Sequence, residues 1–311
     1  MIIVDAHCDT ITTIMETNEQ LRDNKGHIDL NRLKQYDGFV QFFAAFISPK
    51  HAKMGALCRA VDIIDCLYRE IDSNKNDILL CRNYNDIMKS IQSNKIAAVL
   101  TIEGGDALEG SISALRILYE LGVRAITLTW NHRNQIADGV ADGITGGGLT
   151  SFGKEVVAEM NRLGMMVDVS HLSQAGFWDV LNTTSAPIIA SHSNAQKICN
   201  HRRNLTDEQL LALKKNGGVT GINLCPDFIY SEGKATMKHV IKHIEHIIAL
   251  TGEDTLGLGA DFDGIDETPK GLEGVQNIGD LLNELLKLNY TETLVNKIAG
   301  ENFLRVIKRI I

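Results

Sequence analysis

A (β/α)8 TIM barrel is the fold this sequence predicts, as an α/β chain with its functional groups at the C-terminal ends of the strands. Three observations predict it. Short, continuously apolar, β-branched runs alternate with amphipathic helical segments along the 311 residues. These runs number eight, and their unbroken apolar character suits parallel strands buried on both faces. Polar, chemistry-bearing residues follow the ends of several of them, where the active sites of such barrels lie. A doubly wound open sheet is the rival architecture.

The strands expected are Ile2–Val4, Phe39–Phe46, Ile96–Ile102, Ala125–Thr129, Met165–Val169, Pro187–Ser191, Gly218–Asn223 and Leu256–Ala260. Between them, Leu57, Ala60, Val61, Ile64, Leu67, Tyr68 and Ile71 recur at helical spacing, as do Met237, Val240, Ile241, Ile244, Ile247 and Ile248. Thr206 with Gln209 has the spacing of a capping box. Further helical patterns fit 110–121, 152–163, 174–182, 276–287 and 291–309. No low-complexity linker divides the chain, so residues 1–311 are expected to form one domain.

Composition narrows the function classes. Hydrophobic residues make up 44% and aromatics only 5%, so the core must be built mainly from Ile, Leu, Val and Ala. The net charge of −8 disfavours a nucleic-acid partner. No apolar run approaches a membrane span, and the segment after Met1 lacks the features of a signal peptide. The six cysteines form no C-x-x-C pair, and a chain this long needs no disulfide staples. A soluble protein in the reducing cytoplasm is expected.

The strand ends carry the chemistry. The first run leads into His7-Cys8-Asp9, where the i, i+2 spacing lets His7 and Asp9 share a face. Glu103 follows the run 96–102, His171 follows 165–169, His192 follows 187–191, and Asp261 follows 256–260. Any one of these alone reads as an ordinary loop or packing residue. Gathered on one barrel rim, so many ionisable groups would be costly to bury unless a metal neutralised them. Imidazole and carboxylate without thiolate suit zinc or a similar divalent ion.

The segments Asp5-Ala6-His7-Cys8-Asp9-Thr10, Thr101-Ile102-Glu103-Gly104, Val167-Asp168-Val169-Ser170-His171, Ser191-His192-Ser193, Arg202-Arg203-Asn204 and Gly259-Ala260-Asp261-Phe262-Asp263-Gly264 resemble the membrane (renal) dipeptidase family. The likeness runs essentially from residue 2 to the Asn302-Phe303-Leu304-Arg305-Val306 tail. It implies an amidohydrolase-type barrel that cuts small dipeptides with two zinc ions per chain and a metal-bridging hydroxide. By the same resemblance, His7 and Asp9 would ligate one zinc, His171 and His192 the other, and Glu103 would bridge them. Asp261 would be the catalytic carboxylate, and Arg203 would bind the substrate's C-terminal carboxylate. Where the family's best-known members place a substrate-binding histidine, this chain has Trp130; His132, two residues on, is the candidate replacement. The resemblance also admits a homodimer.

Two rival functions stand beside this one. A related metal amidohydrolase would act on a lactam, an N-acyl amino acid or a phosphoester. A non-catalytic barrel would use its pocket only for binding, and would be expected to lack ligands that are all present here. Gly146-Gly147-Gly148 lacks the spacing of a phosphate-binding loop and is read as a plain loop. His239, His243 and His246 are read as the solvated face of a helix.

Overall fold

Nine parallel strands make up the sheet of the computed structural model, which describes residues 1–311. They are β1 (Ile3–Cys8), β2 (Phe39–Phe46), β3 (Ile78–Leu80), β4 (Ile96–Glu103), β5 (Val123–Thr127), β6 (Met166–Asp168), β7 (Ile189–Ala190), β8 (Val219–Ile222) and β9 (Leu256–Leu258). Hydrogen bonding runs β2-β1-β9-β8-β7-β6-β5-β4, and β2 pairs with β4 from Val40↔Ala97 to Phe46↔Glu103. That pairing closes the ring, so the TIM barrel is the fold and the open sheet is not. The short β3 lies outside the ring. It pairs with the first residues of β4, Ile78 against Ile96, before β5 joins β4 at Leu100↔Val123.

The lower half of the ring is filled by side chains. Val4, Val40, Phe42, Val99, Met166 and Val219 belong to one buried cluster with Phe303 and Ile307. Only the inside of a closed barrel can bring residues of so many strands together. The helix Asn302–Ile310 supplies the last two and seals the barrel from below. Gly257 of β9 makes room for this plug, since a Cβ there would fall 2.5 Å from the Phe303 ring. A larger cluster of 69 buried residues, rich in Ile and Leu, joins the strands to the surrounding helices. With its base filled, the barrel can hold a site only at the strands' C-terminal mouth.

The helices follow the apolar spacing closely. The stripe from Leu57 to Ile71 belongs to a helix over Ala56–Ser73, and Thr206 and Gln209 form the expected capping box ahead of Asp207–Asn216. The pattern over 291–309 is not one uniform helix: a π-helical turn, Lys297–Glu301, separates Glu292–Asn296 from Asn302–Ile310. The histidine face is a correction. His243 is fully buried, where its Nδ1 accepts from the Ala195 N–H at 3.2 Å and its Nε2 lies 3.1 Å from the Ile229 carbonyl. His239 accepts from the Thr236 N–H at the helix start, and His246 pairs with Asp207. These histidines tie the helix to its neighbours.

Candidate metal centre and active site

The strand ends converge as expected. His7, Asp9, Glu103, His171, His192 and Asp261 are all buried at the barrel mouth, and they form three overlapping sets with ligand geometry: His7–Asp9–Glu103, Glu103–His171–His192 and His7–His192–Asp261. Two backbone bonds draw β1 and β9 together here, from Asp9 N–H to the Phe262 carbonyl (3.0 Å) and from Asp261 N–H to the His7 carbonyl (3.3 Å). His171 and Asp261 both take the left-handed conformation, each with φ 64°. For a residue with a Cβ that conformation costs about 1–2 kcal/mol. Strain of this kind gathers at functional sites.

Glu103 divides its carboxylate between two groups. Its Oε2 lies 3.7 Å from His7 Nε2, which is 3.5 Å from Asp9 Oδ2. Its Oε1 lies 2.9 Å from His171 Nε2 and 3.5 Å from His192 Nε2. The proton positions follow from the partners. Ser191 Oγ donates to Asp168 Oδ2 at 2.5 Å, because a carboxylate only accepts. Ser191 Oγ must then accept from His192 Nδ1, 2.7 Å away, which leaves His192 Nε2 bare. His171 Nε2 faces that bare nitrogen at 2.9 Å, beside Glu103 Oε1. A cation placed among them would take the lone pairs of both rings and of Glu103 together.

The fit is supported elsewhere in the cluster. His7 Nε2 and Asp9 Oδ1 are buried with no hydrogen-bond partner. Burial, together with Asp9 and Asp261, pushes the Glu103 carboxyl well above its usual range although His7 opposes this. Burial lowers His7, but the carboxylates of Glu103, Asp9 and Asp261 outweigh it and hold the imidazolium up to about 10. Burial takes His171 and His192 well below the ordinary value, so both are neutral. Gly264 borders the carboxylates so closely that a Cβ would lie 2.3 Å from Asp9 Oδ2 and 2.7 Å from Asp261 Oδ1. The donor set and its charge suit a divalent cation with N and O ligands.

The sequence pattern of membrane dipeptidase (peptidase family M19) matches residues 1–310. The chain belongs to this family. An uncharacterized dipeptidase of Schizosaccharomyces pombe is 40% identical over 300 residues, covering 91% of this chain and 72% of that protein. The solved structure of dipeptidase AC, an M19 metallopeptidase, superposes with a TM-score of 0.93 at 28% identity, covering 100% of this chain and 98% of that one. A metallopeptidase from Rhodobacter sphaeroides, liganded with a phosphinate mimic of the dipeptide L-Ala-D-Ala, gives 0.92 at 28% identity, covering 100% and 99%. No helix is long and apolar enough to cross a membrane.

A cavity of about 310 Å³ lies over the cluster, lined by Asp9, Glu103, His171 and Asp261 and walled by Phe46, Trp130, Asn131, Cys225 and Phe228. Asp261 Oδ2 accepts from Asn223 Nδ2 at 2.8 Å. Burial raises its carboxyl to about 6. Arg203 is buried beside the cluster and forms no ion pair; its Nη2 donates to the His192 carbonyl at 3.3 Å and its Nε has no partner. Its guanidinium carbon lies 5.4 Å from the centre of the Phe228 ring, and it lines a separate small cavity with His171. His132 is not brought to the cluster. Its side chain is 66% exposed, 3.7 Å from Asp142, across Trp130 from His171. Asn134, two residues on, pins this loop by donating to the Leu128 carbonyl and accepting from the Ile136 and Ala137 N–H groups. His132 lines instead an adjoining cavity of about 710 Å³ that shares the Trp130 wall.

Sequence reading alone did not single out Asn131, Asp168, Ser191, Asn223 or Cys225 as part of this site. Only position in the motif segments marks Asp168 and Ser191. Burial pushes the Cys225 thiol up to about 12, so it remains protonated beside Asp261. Ser191 has a measurable consequence. Ser191→Ala removes the acceptor for His192 Nδ1 and should weaken metal binding 10–100-fold. Competition against a chelator reads this directly, and wild-type affinity in the variant would show that the hydroxyl does not orient His192.

Proposed function

We propose that this protein is a zinc-dependent dipeptidase that hydrolyses the peptide bond of small dipeptides and holds two Zn2+ per chain. The observation that carries this reading is the split of Glu103, one oxygen toward His7 and the other toward His171 and His192. In this reading His7 and Asp9 would hold one ion, His171 and His192 the second, and Glu103 both. Once bound, the metal pair would supply Lewis acidity to the scissile carbonyl and make hydroxide available near neutral pH. The chain's own groups do the rest. Asp261, steadied by Asn223, takes the proton of the attacking water and returns it to the departing amine. Arg203 supplies a buried positive charge that a substrate carboxylate can pair with, on the side now covered by Phe228. A dipeptide carries such a carboxylate within reach of its only peptide bond. His132 would meet the substrate only from the outer cavity. Six free cysteines fit a reducing, cytoplasmic setting.

The test is a dipeptide library with L and D residues at each position, assayed with zinc beside N-acyl amino acids and lactams. The D residues are included because the Rhodobacter sphaeroides relative is liganded by a mimic of L-Ala-D-Ala. Dipeptides should be the better substrates by kcat/KM. Cleavage of an N-acyl amino acid or a lactam, with every dipeptide untouched, would overturn the assignment in favour of another amidohydrolase activity.

A further inference from the structure

The side chain of Asn131 has one settled partner and one free end. His171 turns Nε2 toward Glu103 and His192, each at 2.9 Å. A ring nitrogen that faces those groups to hold a cation must be bare, so the His171 proton sits on Nδ1. Nδ1 lies 2.9 Å from Asn131 Oδ1. An N–H donor requires the amide oxygen at that position, which fixes the amide's orientation by chemistry. Its Nδ2 then points away from His171. That nitrogen has no hydrogen-bond partner in the protein, and Asn131 lines the cavity with Glu103, His171 and Asp261. A ligand-binding cavity fixes its ligand through a few such polar groups.

We propose that Asn131 contacts the substrate directly: Oδ1 holds the His171 tautomer, and Nδ2 donates a hydrogen bond to the oxygen of the scissile amide. The inference rests on the dipeptidase reading. Asn131, rather than the exposed His132, then stabilises the charge that grows on this oxygen during attack. A preorganised donor at such an oxygen contributes about 10²–10³ in kcat. The same residue couples substrate recognition to the metal site, since one amide serves both.

Two variants separate the halves. Asn131→Asp keeps an oxygen for His171 Nδ1 and removes the donor; Asn131→Ala removes both. At saturating zinc both should lose about 100-fold in kcat on a dipeptide that the wild type cleaves. Loss in the uncharged Ala variant shows that the added charge of Asp is not the cause. By chelator competition, zinc affinity should fall 10–100-fold in Asn131→Ala and hold in Asn131→Asp. Wild-type kcat in Asn131→Ala overturns the donor role, and wild-type zinc affinity in Asn131→Ala overturns the tautomer role. If the wild type cleaves no dipeptide, the dipeptidase reading fails. In that event, affinity for a phosphinate dipeptide analogue tests the donor: tenfold weaker binding by Asn131→Ala supports it, and unchanged binding overturns it.

Discussion

Asp261→Asn should lower kcat on a dipeptide by about a thousandfold, within the 10²–10⁴ range for loss of a general acid–base, while both metal ions stay bound. The carboxamide is nearly the same size, so the packing against Gly264 is kept. What disappears is the capacity to take a proton from water and give it to the amine. Asn223 Nδ2, which donates to Asp261 Oδ2, would still find an amide oxygen. The sign of the pH dependence follows from the same group. In the absence of metal, burial holds the Asp261 carboxyl up to about 6. Bound cations would draw it lower, and the base works only when ionised. Activity should therefore fall on the acid side of the profile, with a midpoint at or below pH 6, and that limb should be absent from the residual rate of Asp261→Asn. Zinc analysis and a pH profile check both halves. Full turnover in the variant would remove Asp261 from the proton path.

The second large effect belongs to Arg203. Arg203→Met should lower kcat/KM by roughly 10²-fold, carried mainly by KM, because the substrate carboxylate loses a buried charged partner. Stability should move the other way. The guanidinium is buried with no ion pair and an unpartnered Nε. With two divalent ions in the cluster, the carboxylates of Asp9, Glu103 and Asp261 and the hydroxide would be neutralised, and this charge would have no net negative partner nearby. Replacing it with a side chain of similar volume should raise the Tm of the zinc-loaded enzyme by roughly 2 °C. Steady-state kinetics and a thermal melt read the two signs. A variant with unchanged KM would show that Arg203 does not bind substrate.

The parts of this fold that could be read from the sequence are those whose signal is local. The runs at 39–46 and 96–102 are long and apolar but for Gln41 and Thr101, and they stand as β2 and β4. The convergence of His7, Asp9, Glu103, His171, His192 and Asp261 was legible because parallel strands all point their C-terminal ends to one rim. The strand Ile78–Leu80 is too short to announce itself. The helix Thr10–Thr17 is rich in β-branched residues that weaken its helical signal. His243 stands three residues after Val240 and four before Ile247, on the buried stripe, but its polar side chain concealed this. Its bonds to Ala195 and Ile229 satisfy it there. The relay from Asp168 through Ser191 to His192 joins the ends of β6 and β7 by hydrogen bonds that no spacing reveals. Likewise His132 and Asn131 are neighbours in sequence, and only the path of the loop shows that Asn131 meets His171 while His132 stays exposed.

The central claim is that Glu103 joins two cation sites into one centre. A calorimetric zinc titration of the metal-stripped protein, wild type beside Glu103→Ala, tests it most directly. The account predicts two Zn2+ per chain in the wild type and a sharp loss of affinity at both sites in the variant. Two tight zinc ions retained by Glu103→Ala, or none taken up by the wild type, would contradict it.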